Sequence, residues 1–264
     1  MMDNYGFLKD FFQFLIGFFL LPLSLFSWEI TSQEAEQIGK QIFFNECSGK
    51  EEKLVWWNDG ENFASLGIAH FIWYPKGEKG PFEETFPTFL AFLSEQGISL
   101  PVWLKTTDAC PWNSKGEFLE KHQEAKKKQL QTLLSRTLSL QATYIVKRFE
   151  QTLPMLFKDL TDEKTQPLLK KIESIAQSPQ GKYALIDYLN FKGSGTSPHE
   201  RYKGQGWGLR QVLEEMPDHP NPVIAFSETA KMILKRRIEN APPERHEERW
   251  LPGWLIRVDS YKKH

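Results

Sequence analysis

The chain has 264 residues, enough for one large domain or two small ones. Apolar residues make up 40% and charged residues 25%, the usual balance of a soluble globular protein, and a net charge of -1 gives no global pull toward nucleic acid, so no nucleic-acid partner is expected. The 9 Trp and 20 Phe suit an aromatic core and equally a cleft that stacks on sugar rings.

Residues 11–28 (FFQFLIGFFLLPLSLFSW) are almost wholly apolar. The run fits the core of a signal peptide, with Ser24 or Ser27 before a cleavage point; the alternative is an N-terminal anchor in the inner membrane. Either way the body from residue 29 onward is expected outside the cytoplasm, periplasmic or secreted. Cys47 and Cys110 are the two cysteines, a candidate disulfide in an exported protein.

Thr31-Ser32-Gln33-Glu34 has capping-box spacing and should start a helix. Ala35, Ile38, Ile42 and Glu46 then follow at steps of three, four and four, which places them on one face. A carboxyl group therefore ends an apolar stripe, where burial should raise its pKa and keep it protonated. Residues 53–57 form a short β-like run, Asp59-Gly60 marks a turn, and residues 62–74 return to β composition, which predicts a hairpin beside the first helix.

Residues 86–96 look helical, and residues 97–112, with Pro101 and Pro111, suggest a surface excursion. Residues 116–153 and 157–178 carry helical patterns, the first with a basic run at Lys126-Lys127-Lys128 that reads as a solvated face. Residues 183–191 are apolar nearly all round, a candidate central buried helix. A glycine-rich loop at 192–208 and helices near 209–216 and 223–238 follow. The balance predicts an α+β fold, mostly helical, with one small β element.

Several chemistries fail on spacing. Gly204-x-Gly206-x-Gly208 follows a loop rather than a strand, so it is no dinucleotide fingerprint, and KGSGTS lacks the phosphate-loop ending. The histidines are too scattered for zinc, and no metal or cofactor is expected. Cys47 ends a helix, the wrong end for an activated thiolate. What remains is a pair of carboxyl groups in unlike surroundings: Glu46 on an apolar face, and Asp59 or Glu61 ionised in a turn. A protonated acid facing an ionised base is the division of labour that glycoside hydrolysis needs. Ser65 would help to hold the attacking water, and Gly67 would let a sugar ring approach the backbone.

Residues 46–70 resemble the active-site stretch of phage-type lysozymes, members of the lysozyme-like superfamily. There a catalytic Glu ends the first helix, and a hairpin with an acidic residue leads into Thr-Ile-Gly-x-Gly-His. Here that run reads Ser65-Leu66-Gly67-Ile68-Ala69-His70, and Asp59 lies six residues before Ser65 as the family's Asp does before its Thr. Ser replaces Thr, Ala69 replaces the second Gly, and the gap from Glu46 to Asp59 is four residues longer than usual, so Glu61 competes with Asp59. Tyr183 to Gly195 and the C-terminal Trp254-x-x-Arg257-Val258 resemble the family's central helix and its C-terminal region. The resemblance implies a lysozyme-like domain over 29–264 with a helical insertion at about 76–180. It implies a muramidase that cleaves the glycan strands of peptidoglycan, with Glu46 as general acid and Asp59 or Glu61 orienting water with Ser65. If Glu46 acts alone, a lytic transglycosylase results. A non-catalytic peptidoglycan-binding envelope protein is the third expectation. His70 is expected to prop the hairpin; Gly67, His70, Asn190, Tyr202, Gln205 and Trp207 make the candidate substrate-binding set.

Overall fold

The structure, a computed structural model, describes residues 30–80 and 82–263. The expected signal or anchor at residues 1–28 lies outside the described residues. Helix α1 spans Ser32–Cys47 and opens on the capping box expected from the sequence: the Thr31 hydroxyl accepts from the Glu34 amide, and the Glu34 carboxylate accepts from the Thr31 amide. Its apolar stripe is buried as the spacing requires, with Ile42 fully inside, which contributes roughly 1.5–3 kcal/mol. Ser48 ends the helix in the left-handed conformation.

A single turn of 3-10 helix, Glu51–Leu54, leads into three short antiparallel strands, β1 (Val55–Trp56), β2 (Ala64–Leu66) and β3 (Phe71–Trp73), in that order across the sheet. Trp56 sits opposite Ser65, and Ser65 opposite Ile72; Val55, Leu66 and Phe71 form the adjoining row. Because side chains alternate across a pleated sheet, the first row takes one face and the second the other. Val55, Leu66 and Phe71 are buried, so theirs is the core face.

Helices α2 (Phe86–Glu95), α3 (Val102–Lys105), α4 (Lys115–Leu119), α5 (Glu124–Arg136), α6 (Leu138–Phe157) and α7 (Asp162–Ile175) follow. Residues 97–112 run along the surface as their prolines suggested, but Leu100, Leu104, Cys110 and Trp112 are buried and anchor the segment. Cys110 donates its amide to the Tyr74 carbonyl, and the Trp112 indole donates to Gln123, so the segment is stitched to the end of β3 on one side and to the turn just before α5 on the other. Helix α6 packs on α1, and Gly39 permits the approach, since a Cβ there would run into Ala142.

Helix α8 (Pro179–Lys192) is the buried helix that the sequence pattern predicted, packed against α1, α6, α7, α9 (Leu209–Glu215) and α10 (Pro222–Asn240). Between α8 and α9 lies a two-stranded hairpin, β4 (Arg201–Tyr202) with β5 (Gln205–Gly206), which the glycine-rich composition concealed. Helix α11 (Leu251–Ser260) packs on α10 and closes the described chain. One continuous apolar core runs from Ala35 to Tyr261. The fold is α+β, mostly helical with a small antiparallel sheet, as expected. Among the described residues no helix is long and apolar enough to cross a membrane.

Candidate functional site

Glu46 sits one turn beyond Ile42 on the same face of α1, so the helix that buries the stripe also carries this carboxyl inward. It meets Arg257 of α11, whose Nη1 donates to Glu46 Oε1 at 2.6 Å. The same guanidinium donates twice to Asp187 of α8, Nε to Oδ2 at 2.9 Å and Nη2 to Oδ1 at 2.7 Å. Asp187 is fully buried and also accepts from the Tyr261 hydroxyl at 2.6 Å. Arg257 thus bridges two carboxylates, held by a fork to one and by a single contact to the other. Its guanidinium lies 4.1 Å from the Phe191 ring centre.

This pairing corrects one expectation. Burial acts on Glu46 most strongly and raises its pKa, but the charge and hydrogen bond of Arg257, with lesser pulls from His70 and Lys192 (His70 only where it is protonated, at the acid pH at which a carboxyl titrates), outweigh it and hold the carboxyl below its ordinary value. The apolar stripe alone does not keep Glu46 protonated.

The turn between β2 and β3 supplies the second neighbour. His70 adopts positive φ (49°) and sets Nδ1 3.4 Å from Glu46 Oε2 and Nε2 3.8 Å from the Cys47 sulfur. Burial lowers the His70 pKa, against the pull of Glu46, so the ring is neutral near pH 7. A neutral ring that presents Nδ1–H to Glu46 leaves Nε2 to accept from the Cys47 thiol. His70 therefore props the base of the hairpin and touches Glu46 directly. Burial, aided by Glu46, pushes the Cys47 thiol up to about 12, which removes it as a nucleophile. The candidate disulfide does not form: Cys47 lies under the end of α1, Cys110 bridges to Pro75, and both are buried free thiols.

The structure separates the two acidic candidates of the turn. Gly60, at positive φ, shapes the tip so that Asp59 projects into solvent, 98% exposed, against Lys115 Nζ at 2.6 Å. Glu61 turns back instead. Its Oε2 accepts from Asn58 Nδ2 at 2.9 Å, and its carboxyl lies beside the hydroxyl of Ser65, itself buried on β2. Burial raises the Glu61 pKa, partly offset by those two hydrogen bonds. The expected partnership of Ser65 with an acidic residue is thus made with Glu61, and Asp59 takes no part.

The side of Gly67 expected to admit a sugar ring is not open. The space a side chain would fill there is taken by the Gln141 carboxamide and the Phe71 ring; Gln141 also accepts from the Ile68 amide at 2.8 Å. The glycine serves close packing of the turn on α6. Trp207 is buried too, with Tyr202 packed on it at 4.5 Å between centroids and Arg237 over its ring at 4.1 Å, so its face is not open for stacking. Tyr202 is half-buried and donates its hydroxyl to Glu247; Gln205, paired with it on β5, is exposed. Asn190 leaves its Nδ2 without a hydrogen-bond partner.

Sequence reasoning missed three charged residues. Asp187 and Arg257 orient Glu46, and Lys192, buried 3.2 Å over the Trp254 ring, adds a further cation near it. Burial, then the nearby Arg237 and Arg257, push the Lys192 pKa well down. A lone Asp in a helix that is apolar all round was the available signal, since a buried charge demands a partner. Among the described residues no cluster of three His, Cys, Asp or Glu side chains could hold a metal ion. The fold and site define an α+β protein with an arginine-clamped glutamate at a helix end beside a small sheet. No protein-family model, curated protein or solved structure matches the chain.

Proposed function

We propose that the chain is a lysozyme-like glycosidase that cleaves the glycan strands of peptidoglycan, exported or anchored through residues 11–28. The observation that carries this is two carboxyl groups on one helix-and-hairpin unit, each held by hydrogen bonds of its own, although their pKa directions, Glu46 down and Glu61 up, are the reverse of the protonated acid and ionised base expected from the sequence. Glu46 is paired with Arg257 and braced by His70; Glu61 sits beside Ser65 with its pKa raised. Glu46 delivers the proton to the departing sugar oxygen. Loosening of the single Arg257 contact by substrate, with Asp187 keeping the guanidinium by its fork, would move Glu46 toward its acid form, because burial, the strongest single influence on it, opposes the charge. Glu61 and Ser65 hold the water, and a raised pKa suits Glu61 to accept its proton. The product would be inverted at the anomeric carbon.

One observation favours a second reading. Asp59, the residue that matches the family's spacing, points to Lys115 and solvent. Glu46 acting alone, as acid and then base, makes a lytic transglycosylase in which the sugar's own hydroxyl attacks. Digestion of purified sacculi decides. Soluble fragments with new reducing ends are the expected result, and anhydro ends select the transglycosylase. Binding without release makes the protein a non-catalytic envelope component, and neither binding nor release refutes the proposal.

A further inference from the structure

The run that begins in strand β1 alternates sharply in exposure: Val55 and, just past the strand, Trp57 are buried, while Trp56 between them is 41% exposed. Register places Trp56 directly opposite Ser65, so both stand on the face of the sheet away from the core row, with Ile72 completing the row; Ser65 is covered there and Trp56 is not. The indole is fixed rather than loose. Its Nε1 donates to Asn58 Oδ1 at 3.0 Å, and Asn58 Nδ2 donates in turn to Glu61 Oε2 at 2.9 Å. One asparagine therefore sets the plane of an exposed aromatic ring and the position of the carboxyl beside Ser65. The aromatic residues expected to stack on sugar, Trp207 and Tyr202, are engaged with each other and with Arg237 and Glu247. Trp56 is the indole left open beside the Glu61–Ser65 pair.

We infer that Trp56 is a sugar-binding platform, which stacks its ring against the C–H face of a pyranose in the glycan strand and so delivers the adjoining bond toward Glu61 and Ser65. The chemistry matches: the face of an indole is electron-rich, and one face of a pyranose presents only C–H groups, each slightly positive. The Asn58 bridge couples binding to chemistry, because a ring that seats against Trp56 meets a carboxyl held by the same side chain. The inference rests on the glycosidase reading and names the subsite which that reading lacks.

The test separates the two claims by measuring binding without turnover. Trp56→Phe and Trp56→Leu are each placed in the Glu46→Gln background, and retention on purified sacculi is measured against the Glu46→Gln parent. Phe keeps a π face and Leu keeps only apolar bulk, and the partial exposure of Trp56 lets both fold. Stacking predicts that Phe retains binding within about threefold while Leu weakens it by about tenfold or more. Equal binding by Phe, Leu and parent overturns the platform and leaves the glycosidase reading intact. A parent that does not bind sacculi, together with a wild type that releases nothing from them, overturns both.

Discussion

Asp187→Asn tests how the site is held. Asp187 is fully buried on α8 and accepts three hydrogen bonds, two from Arg257 and one from Tyr261. The amide keeps the shape but removes the charge and turns one acceptor into a donor facing the guanidinium. Breaking one side of a buried ion pair costs about 3–5 kcal/mol, because the other charge stays buried. Here Glu46 remains as a partner for Arg257, so the lower end, about 3 kcal/mol, is expected. For a chain of this size that lowers the melting temperature by roughly 6–12 °C in a thermal melt followed by circular dichroism. The substitution also moves activity with pH. Arg257, freed from its fork, leans on Glu46 alone, lowers the Glu46 pKa further and makes the acid form scarcer. The alkaline limb of the activity profile should then move to lower pH. A variant with the wild-type melting temperature and pH profile would refute the claim that Asp187 holds Arg257 and, through it, Glu46.

The remaining predictions concern single groups. Asp59→Asn should leave sacculus turnover within about twofold, whereas Glu61→Gln should lower it by about a hundredfold or more, since only Glu61 sits beside Ser65; a rate assay on labelled sacculi compares them directly. Both cysteines should resist a thiol reagent at pH 8 in the native protein and react fully, without reductant, once it is unfolded, because burial pushes each thiol up to about 12 and no disulfide joins them. Glu247, fully buried, is held at about 2 although burial alone would raise it, because Arg237, Tyr202 and Arg245 all bond its carboxylate. Against an ordinary 4.5, that contributes about 3 kcal/mol of stability, fully present above pH 4.5 and lost as pH falls toward 2. Urea titrations across that window should show the loss in the wild type and a flatter dependence in Glu247→Gln.

What the sequence revealed and what it hid divide along physical lines. Local signals were sound: the Thr31–Glu34 box, the Ala35–Ile38–Ile42 stripe and the apolar pattern of α8 all form as their spacing requires. These depend on neighbours within a turn or two. Long-range partners were invisible. Arg257 lies 211 residues from Glu46, and nothing near either one records that they meet. That meeting reverses the expected direction of the Glu46 pKa. The choice between Asp59 and Glu61 was hidden for a different reason: sequence spacing favoured Asp59, but the backbone at Gly60 decides which carboxyl points inward. Proline content marked residues 97–112 as a surface segment but concealed its anchors, since prolines do not prevent Trp112 from burying a large side chain. The exposed Trp56 and buried Trp57 are identical letters side by side, and only strand register separates their roles.

The central claim is that Glu46 is the proton donor for glycan cleavage. Glu46→Gln keeps the side chain's size and its acceptor oxygen for Arg257, so the fold should survive with an unchanged circular dichroism spectrum. Release of soluble fragments from purified sacculi, measured side by side with the wild type, is the direct measurement. The account predicts that release falls to background in the folded variant. Fragment release at the wild-type rate by folded Glu46→Gln would contradict it.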